Sequence, residues 1–398
     1  MKTSCVLASV VLCAGAAFAQ TPAEPPISPR IRLGPLGLSP RVGLTNLGID
    51  TNVFNEIENP KHDFTATLSP HTDFWLRLGM ARVSGSATFD YVYFGHYSSE
   101  RAVNTYDQLR VAVPLRRVVP YATASIVNAR ERSGYDLDAR VRRSEGAIGL
   151  GVDIRAGSKV TLDLSGSRTN VAFDAHEVVF GSRLSDALDR TAYGVRAAMR
   201  YRLTPLTTVV IEAEAQGDRF QVSPLRDADN LRIMPGVELD PFAVISGSAR
   251  VGFRQYDARS VGTPSFRGLA AAADLSYTLR GTTRFSFHAE RDLSYSFEVE
   301  EPYFLQTGVS GTVTRKIGPQ WDVQTTAAWF RLGYRHTGLP AIVAGRTDGV
   351  RTVGAGVGRS VGPRTRLGVN VGHDTRWSDR SSREYRGLRL NTSVTYGS

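Results

Sequence analysis

The stretch FSFHAERDLSYSFEV (285–299) decides the fold. Phe285, Phe287, Ala289, Leu293, Tyr295, Phe297 and Val299 take the odd positions, with Arg291 the one polar member of that set. Ser286, His288, Glu290, Asp292, Ser294, Ser296 and Glu298 fill the even positions, and all are polar. A helix would scatter the two sets around its axis. A strand puts one on each face. The pattern recurs outward from here. Val160, Leu162 and Leu164 alternate with Thr161, Asp163 and Ser165. Tyr193, Val195, Ala197, Met199, Tyr201 and Leu203 alternate with Gly194, Arg196, Ala198, Arg200 and Arg202. Leu388, Leu390, Thr392, Val394 and Tyr396 alternate with Gly387, Arg389, Asn391, Ser393 and Thr395.

A soluble sandwich also alternates, but its strands are shorter, about five or six residues each. Here the runs are long and the polar face is Gly, Ser, Thr, Arg and Asp. Such strands suit a transmembrane β-barrel, with the apolar side on lipid and the polar side lining a wet lumen. Tight turns are read at 78–80, 116–118, 156–158, 203–205, 240–241, 280–282, 318–319 and 362–363, and all but 116–118 hold Gly or Pro. Longer polar loops lie between them. Eight turns and nine loops predict an all-β, antiparallel up-and-down barrel of eighteen strands over residues 36–398, with sixteen as the alternative count. An even count puts both termini on the periplasmic side. Trp75, Tyr91, Tyr93, Tyr97, Trp321, Tyr334 and Trp377 fall near strand ends, where interfacial aromatic girdles stand.

The chain of 398 residues opens with MKTSCVLASVVLCAGAAFA (1–19). Lys2, an apolar core and Ala17-Phe18-Ala19 read as a signal peptide cleaved before Gln20. With the barrel, export implies a bacterial outer membrane. Residues 20–35, rich in proline, read as a periplasmic tail that forms no strand. Both cysteines fall in the leader, so no disulfide is expected in the mature chain. The formal charge of +10 becomes +9 once Lys2 is removed, and nearly all of the positive charge is Arg. An exported protein rarely meets nucleic acid, so lipopolysaccharide phosphates, outer-membrane lipid and acidic sugars are the expected partners.

GLTNLGIDTNVFN (43–55) followed by DFTATLSPHTDFWLRLG (63–79) resembles the opening of the β-barrel porin-2 family. So does AMRYRLTPLTTVVIEAEAQGDRFQVSPLRDADNLRIMPGVELDPFAVISGSARVGFRQYDA (198–258). The resemblance implies an outer-membrane barrel, with some members associated with exopolysaccharide export. It transfers no catalytic residue.

No stretch reads as an enzyme, cofactor or metal site. Gly354, Gly356 and Gly358 alternate with Val353, Ala355 and Val357 along a strand, and no helix follows as a dinucleotide loop requires. The seven histidines lack metal-ligand spacing. His373 shares the lipid-facing parity of Val369 and Val371, as an interfacial residue would. The inward charges are more informative. Arg196, Arg200 and Arg202 should face Glu212 and Glu214 across the turn at Pro205, with Arg196 near Glu214 and Arg200 near Glu212. Arg250, Arg254, Arg366 and Arg389 should line the pore with fewer acidic neighbours and bias it weakly toward anions. Val178-Val179-Phe180, an apolar triplet in the loop 172–188, either folds into the mouth or packs on neighbouring loops. The function expected is a porin-like channel passing exopolysaccharide or small sugars, with a periplasmic export partner. A docking barrel without an open pore is the alternative, and a barrel hydrolase is the third reading.

Overall fold

The computed structural model describes residues 29–340 and 344–397. The leader and its cleavage site, with residues 20–28 of the proline-rich tail, lie outside them. Eighteen long strands run in chain order: β1 (Leu36–Asp50), β2 (Asp63–Leu78), β3 (Ala81–Phe94), β4 (Ala102–Ala112), β5 (Val118–Glu131), β6 (Val141–Arg155), β7 (Val160–Phe173), β8 (Arg190–Thr204) and β9 (Thr207–Phe220). They continue as β10 (Ala228–Leu239), β11 (Ile245–Ala258), β12 (Phe266–Leu279), β13 (Thr283–Tyr295), β14 (Tyr303–Ile317), β15 (Trp321–Arg335), β16 (Arg346–Val361), β17 (Thr365–Ser378) and β18 (Tyr385–Tyr396). Each pairs antiparallel with its neighbours in sequence, and β1 pairs with β18 through Val42↔Tyr396 and Ile49↔Leu390. That seam closes an eighteen-strand barrel. Within the tail, Ile31–Leu33 adds a short strand that folds back on Leu36–Leu38. The expectation of no strand before residue 36 is corrected there: Gly34 takes φ +59° and lets the chain reverse.

Alternation along the strands becomes two surfaces. Ile148, Leu150 and Val195 stand outward, 63%, 71% and 67% exposed, where hydrocarbon would meet them. Asp163, Glu212 and Glu214 point inward among arginines. Turns at one rim are tight, with Gly281, Gly318 and Gly362 at φ +68°, +68° and +71°. At the other rim the connections are long. Tyr91, Trp321 and Trp377 face outward as girdle residues do. Trp75 and Tyr334 do not. Trp75 shares the inward parity of His71 and Asp73, and Tyr334 is fully buried with its hydroxyl on Asp136.

The wall is not uniform at the long-loop rim. The β12–β13 ladder stops at Ala271↔Arg291, while β11–β12 continues to Tyr256↔Phe266 and β13–β14 to Tyr295↔Tyr303. Above Arg291 the β13–β14 hairpin leaves the wall and leans inward. Its outward-parity residues Leu293, Tyr303 and Leu305 then pack on the inner-face residues Ala228, Tyr256 and Phe266. The reading of Leu293, Tyr295 and Phe297 as one lipid-facing row with Phe285 is therefore corrected. Alternation persists, but the face meets protein.

The two faces make opposite demands on one hairpin. Ile148, in the middle of β6, stands outward opposite Ala124, and the neighbouring pair Ser125↔Ala147 faces in. Ile148→Arg should cost about 2–4 kcal/mol of barrel stability in lipid. Ser125→Arg should cost under about 0.5 kcal/mol, because the lumen hydrates it. Urea unfolding in vesicles, followed by heat-modifiable gel migration, measures both.

Candidate functional site

Inward parity carries the charges, and register decides which of them meet. Arg196 sits opposite Glu214, as the turn spacing predicted. Arg200 sits opposite Val210, not Glu212, because an antiparallel pair holding 196↔214 cannot also hold 200↔212. The ion pairs run along and between strands. Arg196 bonds Glu212 at 2.6 Å and lies 3.7 Å from Asp163. Arg200 and Arg250 share Glu238, at 3.2 and 2.5 Å. Arg232 joins Glu214 at 2.6 Å to Asp292 at 3.1 Å, and Asp292 takes Arg254 at 2.5 Å. On the far side Arg366 pairs with Asp322, and Arg389 bridges Asp50 and Asp374. Arg202 is exposed at the tight-turn end of β8.

Every inward arginine singled out from sequence thus has a carboxylate partner, except Arg202, which has none within 4.0 Å among the described residues. Arg250, Arg254, Arg366 and Arg389 are not short of acidic neighbours. Glu238 lies across the 240–241 turn from Arg250, whereas Asp292, Asp322, Asp50 and Asp374 lie on strands that no tight turn links to their arginines. Local reading could have found the first of these but not the other four. Gly358 leaves the gap that the Arg366 guanidinium fills beside Asp322, so the glycine string serves a packing role.

Two loops enter the barrel from the long-loop rim. The β5–β6 loop (132–140) reaches to the opposite wall. The Tyr135 ring stacks on Phe330 of β15 at 4.5 Å, beside Phe304, Leu332 and Val350. Asp136 accepts from the Tyr334 hydroxyl at 2.6 Å and from the Phe297 amide of the β13–β14 loop at 3.3 Å. Arg376 of β17 donates to the Tyr135 carbonyl and to Asp138, both at 2.5 Å, and also to Asp348. Arg383 donates to the Asp136 carbonyl. The β13–β14 loop (296–302) is held as firmly. Buried Arg226 donates to the carbonyls of Ser296 at 3.0 Å and Glu298 at 2.8 Å. Arg346 lies 3.4 Å from Glu298 and 3.2 Å from Glu301, with its guanidinium over the Tyr334 ring.

The 172–188 loop packs on these two rather than crossing the lumen. Of its apolar triplet only Val179 is buried, with Leu184, Leu188, Leu137 and Phe297; Val178 and Phe180 stay exposed. A one-turn helix at Leu184–Leu188, absent from the sequence reading, supplies the rest of that contact. His373 stands outward near Thr375, on the parity expected.

Glu301 sits in this network with burial raising its carboxyl above the usual range, against the opposing pull of Arg346 and Arg380. Among the described residues its Oε2 lies in ion-pair range of Arg346 but accepts no hydrogen bond.

The family model described as "Putative beta-barrel porin 2" matches residues 31–397. Among solved structures the chain is similar to OccK2 (OpdF) of Pseudomonas aeruginosa, at TM-score 0.50 and 11% identity, over 90% of this chain and 97% of that one. It is also similar to the outer membrane protein opdK of Pseudomonas aeruginosa, at TM-score 0.49 and 12% identity, over 90% and 98% of the two chains. A BenF-like porin from Pseudomonas fluorescens Pf-5 is similar at TM-score 0.49 and 11% identity, over 90% and 98%. At such identities the likeness speaks for the fold alone. No curated protein sequence matches the chain.

Two outcomes are expected. Phe330 lies against Gly308, where a Cβ would collide with the ring. Gly308→Val should therefore displace Phe330, unseat Tyr135 and raise single-channel conductance in planar bilayers; deleting 176–186 should change it much less. Second, a carboxyl with a raised pKa when docked binds its proton more tightly than when released. Docking of the 296–302 loop should strengthen as pH falls through the raised Glu301 pKa and weaken as pH rises above it. Open probability should increase from mildly acidic to neutral pH, and Glu301→Gln should flatten that dependence.

Proposed function

Because the chain belongs to the β-barrel porin-2 family, we propose that it is an outer-membrane channel passing exopolysaccharide or small sugars and performing no covalent chemistry. The observation that carries this reading is the inward face of a closed eighteen-strand wall, lined by ion-paired arginines and carboxylates. A barrel of this size leaves an aqueous interior unless loops occupy it. Paired charges stay hydrated on one side and offer hydroxyl groups both donors and acceptors. They suit a neutral, hydrogen-bonding solute better than an apolar one.

In this reading Arg196, Arg200, Arg202, Glu212, Glu214, Arg250, Arg254, Arg366 and Arg389 line the path. Their pairing cancels most of the net charge and leaves a transverse field. Ion selectivity should be weak, with the unpaired Arg202 tipping it toward anions. A periplasmic partner delivering the solute would meet the tight-turn rim.

A second reading, a docking barrel without an open pore, is favoured by one observation. The loops 132–140 and 296–302 are locked across the interior by buried Arg346, Arg376 and Arg383. Planar bilayers separate the two. Stable open steps of the purified chain, blocked by oligosaccharides and with a small anion-side reversal potential in asymmetric salt, support the channel. Silence of the wild-type chain, and of a chain lacking 133–139, supports the closed barrel. A clear cation preference would remove the anion assignment.

A further inference from the structure

The inner and outer arginines of this barrel are treated differently. Inside, the arginines described above find carboxylates, Arg202 apart. Outside, near the long-loop rim of β9–β12, they do so as well: Arg219 and Arg259 hold Asp229 at 2.7 and 2.8 Å, and Arg267 lies 3.9 Å from Asp257. The outer face of β13–β18 departs from this rule. Arg291, Arg331, Arg351 and Arg386 all carry outward parity near the same rim. Among the described residues none of the four has a carboxylate within 4.0 Å.

Register brings the four together. Arg291 is opposite Thr307, Thr307 opposite Arg331, and Arg331 opposite Gly349. One step nearer the membrane centre, Trp329 is opposite Arg351, Arg351 opposite Thr375, and Thr375 opposite Arg386. Arg331 and Arg351 are thus diagonal neighbours, about 7–8 Å apart. Arg291 and Arg386 flank them two strands away on either side, at about 10 Å. Arg331, Arg351 and Arg386 are exposed; Arg291 is half-buried and donates to Thr307 Oγ1 at 2.7 Å. The indole of Trp377 lies over Gly349, next to Arg331, and Trp329 and Trp377 are both exposed at the lipid boundary.

Four unneutralised guanidiniums on one patch repel one another and sit where water thins into lipid. The charge that balances them must come from outside the chain. A guanidinium matches a phosphate bidentately, and the patch spans more than one phosphate. The tryptophans fix its depth at the headgroup level. We propose that the outer face of β13–β18 binds the diphosphorylated headgroup of an outer-leaflet glycolipid, with Arg331 and Arg351 as the principal contacts and Arg291 and Arg386 beside them. Its acyl chains would lie along the apolar wall below Trp329. The site is independent of what passes through the lumen.

The test uses the purified full chain in detergent micelles and four probes: a diphosphorylated acylated glucosamine disaccharide, its monophosphorylated form, phosphatidylglycerol and inorganic phosphate. Adducts are read by native mass spectrometry and affinities by tryptophan fluorescence. The diphosphorylated glycolipid should bind tightest, and more weakly as salt rises. Arg331→Gln with Arg351→Gln should weaken it about 30-fold. Arg331→Lys with Arg351→Lys should retain most of the binding, which separates lost charge from lost structure. Arg259→Gln, on the paired sector, should change nothing. Heat-modifiable migration checks that each variant is folded, and single Arg351→Gln replaces the double variant if that does not fold. Equal affinity of wild type and the glutamine variant overturns the proposal. So does equal binding of phosphatidylglycerol, or displacement of the glycolipid by inorganic phosphate at matched concentration, which would make the ligand any anion.

Discussion

Everything in this molecule follows from the need to pair each backbone N–H and C=O where no water can reach them. In hydrocarbon an unpaired amide costs several kcal/mol, so a sheet cannot end there. The β1–β18 seam is what removes the last edge. Once the sheet closes, period two is forced on every strand, because one face must suit lipid and the other must suit water. Closure with an even count also returns both ends of the chain to one rim. At that rim the connections can be two or three residues long. All irregular chain is pushed to the other end.

Closure at eighteen strands creates a second demand: the interior is too wide for wall side chains to fill. Opposite charges across the strands stiffen the wall at modest benefit, about 0.2–1 kcal/mol per pair. The upper interior is occupied by chain instead. Loop 132–140 brings Tyr135 to meet inward-facing Phe304, Phe330, Leu332 and Val350, and Leu137 packs with Phe297 of loop 296–302 against Val179, Leu184 and Leu188. The two loops also carry carboxylates. Isolated, these would be too costly to bury, but Arg346, Arg376 and Arg383 project from the tops of β16, β17 and the loop after β17 to meet them. The inner hairpin of β13 and β14 belongs to the same construction: it leaves the wall to deliver Asp292 between Arg232 and Arg254, which face each other as like charges across β10 and β11.

The strands were readable because lipid and water impose so strong an alternation. The barrel begins at Leu36 and has eighteen strands, as the alternation and the eight turns indicated. Alternation reports that two faces differ, not what each one touches. Leu293, Tyr295 and Phe297 keep the period while the hairpin turns into the lumen, so the strand read through 299 ends at Tyr295. The tight turn made the Arg196↔Glu214 register readable but not the ion pairs, since Arg196 bonds Glu212 and Glu214 bonds Arg232. Arg200 finds Glu238, two strands away, and Arg389 finds Asp50 across the seam. The loop S133-G134-Y135-D136-L137-D138 reads as solvent-exposed because its two aspartates are matched by arginines more than two hundred residues later.

That separation has a consequence for biogenesis. Asp136 meets Phe297 across 161 residues and Arg383 across 247. Neither contact exists until the later strands stand opposite the earlier ones, and bringing such distant segments together is slow. The loop 132–140 therefore cannot be seated until β17 and the loop after it are in place, so the furnishing of the interior waits on the last part of the wall.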